Sequence, residues 1–106
     1  MAETRQPRIE WAREWLKTTK SLYINGEWVE GHGPVLESIS PINGEVIGHI
    51  CCAGEEDIDL AAKAARTAFD NGSWTRDVNH RERRKIMQKI AATLMEHIEE
   101  IATIET

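Results

Sequence analysis

The chain has 106 residues, with 13 Lys and Arg against 18 Asp and Glu, a formal net charge of −5 and a sequence pI near 5.3. That balance gives no electrostatic footprint for nucleic acid or an anionic membrane. No apolar run is long enough to cross a bilayer and the N-terminus lacks the apolar core of a secretory signal, so the expected compartment is the cytoplasm.

Residues 1–21 predict a short amphipathic helix. Ile9, Ala12 and Leu16 fall on one helical face, Trp11 and Trp15 form an i,i+4 pair beside it, and Thr18-Thr19 or Ser21 marks the end. The cations Arg5, Arg8, Arg13, Lys17 and Lys20 would suit a transit peptide or a membrane-surface helix. Glu3, Glu10 and Glu14 oppose both and favour a tryptophan-anchored extension packed on the protein body.

Two hairpins are expected next, because Ile-Asn-Gly-Glu occurs twice, at residues 24–27 and 42–45. Asn-Gly tolerates positive φ at two successive positions, the requirement of a tight type I′ turn. The first hairpin runs through Leu22-Tyr23-Ile24 and Glu27-Trp28-Val29-Glu30. The second turns at Ser40–Glu45 and returns along Val46–Cys51. The flanks of the two tetrapeptides differ, so turn chemistry rather than an internal repeat accounts for them.

Two amphipathic helices should follow. Glu55, Glu56 and Asp57 complement the positive end of a helix dipole, and Ile58, Ala62, Ala65 and Phe69 recur at helical spacing up to a stop at Gly72, after which Trp74 folds back. Asn79 and Glu82 have the form of a capping box. Beyond them Ile86, Ile90, Leu94, Ile98 and Ile101 make one long stripe, widened by Met87, Ala91, Met95 and Ala102, which calls for burial against the first helix and the hairpins. The fold class is α+β. The pattern reaches Ile104-Glu105-Thr106 with no glycine, proline or cationic last turn, so the last helix reads as interrupted.

The series Leu22–Val29, Ser40–Ile47, Asp57–Asp59, Ala61–Phe69, Gly72-Ser73-Trp74, Arg81-Glu82-Arg83 and Ile101–Thr106 resembles, in order and in one register, the opening of an NAD(P)-dependent aldehyde dehydrogenase. Ser40-Pro41 stands where that family usually has Asn-Pro. The resemblance implies an N-terminal extension at 1–21 followed, at 22–106, by the truncated edge of an α/β cofactor-binding domain. In such enzymes a cysteine thiolate adds to the aldehyde to give a thiohemiacetal, hydride passes to NAD or NADP, and the thioester is hydrolysed to the carboxylic acid. A homo-oligomer is also implied for the complete enzyme.

None of that machinery falls in this span, so no catalytic, cofactor-binding or metal residue is assigned. Cys51 and Cys52 are neighbours on a strand, pointing to opposite faces, one packed and one more exposed; they lie far from the family's nucleophile and neighbours do not form a disulfide readily. His49 shares a face with Cys51, but His32, His49, His80 and His97 lack zinc-ligand spacing. The glycines have turn or boundary explanations and none opens a Gly-x-Gly-x-x-Gly loop. Arg76, Arg81, Arg83, Arg84, Lys85 and Lys89 crowd the start of the last long helix, while Glu96, Glu99, Glu100 and Glu105 crowd its end, the reverse of what the dipole favours. No aromatic residues interleave with the cations, as a nucleic-acid surface would require, and a solvated charged face explains them. The leading reading is an aldehyde dehydrogenase N-terminal fragment, inactive alone and binding no cofactor. Its rival is a stand-alone α+β interaction module.

Overall fold

The computed structural model describes the backbone of residues 2–106 and the side chains of residues 7–106, so Glu3 and Arg5 of the N-terminal charge pattern lie outside the described side chains. The order is α1 (Ala2–Leu16), β1 (Leu22–Ile24), β2 (Glu27–Val29), β3 (Val35–Ile39), β4 (Val46–Cys51), α2 (Glu55–Asn71), α3 (His80–Glu96) and α4 (Ile98–Glu105). The chain divides into two compact units, residues 13–67 and residues 1–12 with 68–106.

The first of these units is built on two antiparallel ribbons. In β1–β2, Tyr23 sits opposite Trp28 with ring centroids 4.9 Å apart, the cross-strand aromatic pair that stabilises a two-stranded ribbon. Its turn has Asn25 at φ 54° and Gly26 at φ 80°, both left-handed, as type I′ demands. The turn of β3–β4 differs from expectation. Gly44 alone of the pair Asn43-Gly44 has positive φ, at 75°, Gly44 N–H donates to Ser40 O at 2.9 Å, and Ser40 N–H donates to Glu45 O at 2.8 Å. The loop is therefore wider than type I′. Pro41 locks its own φ near −65°, which starts a right-handed turn at the loop's beginning, and the Asn43 side chain accepts from Glu45 N–H at 3.1 Å. A register shift between Ser38 and Ile39 takes up the difference. Lys20 joins the edge of β4, donating to His49 O and accepting from Cys51 N–H, both at 2.9 Å.

The N-terminus of α2 also belongs to this unit: the Gly54 carbonyl accepts from both Asp57 and Ile58 N–H at 3.1 Å. At the far end of α2, Gly72 adopts φ 71° and its N–H donates to Ala68 O and Phe69 O, so it ends the helix as expected.

In the other unit the capping box of α3 is complete. Asn79 Oδ1 accepts from Arg81 and Glu82 N–H at 3.0 and 3.1 Å, and Glu82 Oε2 accepts from Asn79 N–H at 3.0 Å. The single long helix is corrected to two. His97, at φ −109° and ψ 14°, ends α3 and starts α4, and its N–H donates to Leu94 O at 3.2 Å, three residues back rather than four. Glu100 Oε2 lies 3.2 Å from His97 Nδ1 at the break. The stripe also remains uncovered, contrary to its expected burial: Ile86, Met87, Ile90, Leu94, Met95, Ile98 and Ile101 are all exposed. Among the described residues the buried apolar side chains are Ala12 and Cys51.

Candidate functional site

The densest polar constellation gathers around Asp57, at the third position of α2. Its carboxylate is 3 % exposed. Oδ2 accepts from the backbone N–H of Gly54 at 2.8 Å, the bond a capping side chain makes to the helix N-cap, and from the backbone N–H of His32 at 2.7 Å. Oδ1 meets His32 Nδ1 at 2.8 Å, and His32 Nε2 lies 3.6 Å from Glu56 Oε2. The loop carrying His32 packs backbone to backbone on the link between β4 and α2: Gly33 N–H donates to Cys52 O at 3.0 Å and Cys52 N–H to Pro34 O at 2.8 Å. A Cβ on Gly31 would stand 2.1 Å from Cys52 O, so only glycine allows this approach.

The electrostatics follow from those bonds. Donation by His32 N–H, then Gly54 N–H, then the imidazole lowers the Asp57 carboxyl from 3.8 to about 2. The hydrogen bond and charge of Asp57, with Glu56 behind them, raise the imidazole of His32 above 6.5. A carboxylate this fully engaged is a poor general base, and it occupies the helix N-terminus where an anion would otherwise bind. The constellation ties the loop to the helix. From the sequence, the acidic first turn was readable but its partner 25 residues upstream was not.

The other candidates stay apart. Cys51, the last residue of β4, is buried, and Cys52, just beyond the strand rather than on it, is half-buried; both are free thiols. His49 lies opposite Glu37 on β4, while His80 opens α3 and His97 sits at the α3–α4 break. Among the described residues no group of three His, Cys, Asp or Glu is placed to hold a metal ion. The basic cluster divides. Arg83 Nη2 donates to Trp74 O and Thr75 O at 2.9 and 3.1 Å, with its guanidinium 5.5 Å over the Trp74 ring, and the Arg76 guanidinium donates to Asp70 O. These two fasten the turn before α3, whereas Arg81, Arg84, Lys85 and Lys89 are exposed.

The N-terminus of α2 is filled by Asp57, and Gly31 and Gly33 spend their lack of side chain on approaching Cys52 O and Ala53 O.

Comparison with known proteins gives a concordant picture. Residues 28–106 match the profile of the Aldehyde dehydrogenase family. The chain is 48% identical over 91 residues to Aldehyde dehydrogenase 1 of Tanacetum cinerariifolium, covering 85% of this chain and 18% of that protein. It is 37% identical over 92 residues to cytosolic 10-formyltetrahydrofolate dehydrogenase of Xenopus tropicalis, covering 86% of this chain and 10% of that protein. The crystal structure of betaine aldehyde dehydrogenase from Staphylococcus aureus in complex with NAD+ superposes with a TM-score of 0.81 at 35% identity, over 93% of this chain and 20% of that one. The chain thus spans about a fifth or less of the length of these relatives. With a family profile matched over most of its length and the same fold in a solved member, this chain belongs to the aldehyde dehydrogenase family.

Proposed function

We propose that the chain is the N-terminal part of an aldehyde dehydrogenase that oxidises an aldehyde to a carboxylic acid with NAD or NADP, and that its own contribution is scaffolding. The observation that carries this reading is the superposition on an NAD-bound enzyme over 93% of the chain. The scaffolding reading is supported by Asp57, whose carboxylate takes the Gly54 N–H at the start of α2, where an anion would otherwise bind. Cys51 is buried, with Sγ 3.2 Å from where a Gly31 Cβ would be. On this reading, chemistry at the aldehyde and the hold on the cofactor fall to other parts of the enzyme. A cytoplasmic location and a homo-oligomeric assembly of the complete enzyme complete the reading; Glu10 and Glu14 among the cations of α1 support the first by opposing a targeting helix.

The reading is tested on the transcript. Sequencing past the Thr106 codon and expressing the whole reading frame should give aldehyde-dependent reduction of NAD or NADP. A whole product that reduces neither with a panel of aliphatic, aromatic and betaine aldehydes overturns it. A second reading, a non-catalytic interaction module, draws on the exposed stripe of α3 and α4. A reading frame that stops after Thr106 would favour it.

A further inference from the structure

The first turn of α2 carries three acids in a row, Glu55, Glu56 and Asp57. The imidazole of His32 lies between two of them, with Nδ1 2.8 Å from Asp57 Oδ1 and Nε2 3.6 Å from Glu56 Oε2. Among the described residues these are the charged groups that face the ring, both from α2. Gly54, on the link ahead of α2, approaches the His32 Cβ closely and has no side chain to titrate. His32, Gly54, Glu56 and Asp57 all belong to the unit of residues 13–67, and Asp57 is already 3 % exposed there. The arrangement is thus complete within one unit and depends on no outer face being open.

A ring between two carboxylates satisfies both only as the imidazolium, when both nitrogens donate. In the neutral ring, Nδ1–H keeps its bond to the buried Asp57 oxygen, and Nε2 then presents a lone pair to Glu56. Lone pair and carboxylate are both acceptors, so loss of one proton turns this contact from attractive to repulsive. Asp57 Oδ2 takes no part in that exchange, because it holds the backbone N–H groups of His32 and Gly54, at 2.7 and 2.8 Å.

We infer that His32 is a proton-operated clasp on the first turn of α2: the imidazolium ties Glu56 to the β2–β3 connection, the neutral ring releases it, and Asp57 keeps the connection docked in both states. The two carboxylates raise the imidazole above its ordinary 6.5, so the clasp is closed below 6.5 and opens as pH rises through the higher folded value. The clasp stands whether or not the oxidoreductase reading does.

NMR of the isotopically labelled 106-residue chain, followed across the His32 titration, tests it. The side-chain carboxyl signal of Glu56 should inflect at the midpoint of the His32 ring, well above the carboxylate's own titration. That inflection should be lost in His32→Gln, whose amide has no proton to lose in this range. In Glu56→Gln the ring midpoint should move to lower pH, while Glu55→Gln should leave it in place. Protection of the His32 and Gly54 amides against exchange should persist through the same range in the wild-type chain. Circular dichroism of each variant checks that α2 persists. A Glu56 signal with no such inflection overturns the inference, as does an inflection that survives His32→Gln or a ring midpoint that Glu56→Gln does not move. Amide protection that collapses together with the ring proton also overturns it, since Asp57 would then not hold the connection in both states.

Discussion

Asp57 holds His32 twice, accepting from its backbone N–H at 2.7 Å through Oδ2 and meeting its ring Nδ1 at 2.8 Å through Oδ1. With the Gly54 N–H on Oδ2 as well, one carboxylate stitches the β2–β3 connection to the start of α2. The stitch connects segments that are distant in sequence, so it adds most where local propensity adds least.

Its pH dependence has two limits of opposite sign. Asp57 has its carboxyl lowered from 3.8 to about 2, so its contribution is complete above 3.8 and disappears as pH falls through 2. His32 has its imidazole raised above 6.5, so the added contribution of its charge is complete below 6.5 and disappears as pH rises through the higher folded value. Proton NMR of the His32 ring should show a titration above 6.5 that moves back toward 6.5 in Asp57→Asn. The same variant should speed amide exchange at His32 and Gly54, whose acceptor is weakened. An unshifted His32 titration in the variant would show that the ring does not sense Asp57.

The local devices were legible because they are encoded within a few residues: the Asn25-Gly26 turn, the Gly72 stop, the Asn79–Glu82 box and the deeper burial of one of the two adjacent cysteines. Three features were not. The Asn43-Gly44 turn widened because Pro41 starts a right-handed turn upstream, which a dipeptide rule cannot weigh. The break at His97 was invisible because Leu94, Ile98 and Ile101 keep helical spacing across it. The His32–Asp57 contact depends on a close approach that glycine permits at Gly31 and Gly33, and nothing in periodicity specifies which carboxylate the loop will meet. The uncovered stripe is a different matter, since a pattern reports that a face needs a partner without saying where that partner resides.

The capping box of α3 should be separable into its halves. Asn79→Ala removes the acceptor of the Arg81 and Glu82 N–H groups and should cost about 1 kcal/mol. Glu82→Gln keeps an acceptor for Asn79 N–H and should cost less than half of that. Urea denaturation read by circular dichroism measures both, and equal losses would mean that the box acts through charge at the helix start rather than through its hydrogen bonds.

The exposed stripe should bind an environment-sensitive hydrophobic dye at dilutions where the chain is monomeric. Leu94→Gln should reduce that binding and leave the melting temperature within a few degrees, about what a change under 1 kcal/mol produces, because half of this side chain is already in solvent. Dye binding that survives Leu94→Gln and Ile90→Gln together would locate the sticky surface elsewhere, with the β3–β4 ribbon and its exposed Val35, Leu36 and Ile50 next in line.

Gly26 and Gly31 should respond to substitution in opposite ways, because they are glycine for different reasons. At Gly26 nothing lies within 4 Å of an added Cβ, and the obstacle is φ 80° alone. Gly26→Ala should therefore cost about 1–2 kcal/mol and Gly26→Val more, while Gly26→Asn, which tolerates the left-handed region, should recover most of the loss. At Gly31 the φ is ordinary, but a Cβ would stand 2.1 Å from Cys52 O, a backbone atom that cannot swing away. Gly31→Ala should cost more than Gly26→Ala, and Gly31→Asn should bring no recovery, since the larger side chain meets the same carbonyl. Denaturation midpoints of the five variants decide the matter. Recovery by asparagine at residue 31, or none at residue 26, would reverse the assignment of backbone strain to one glycine and close packing to the other.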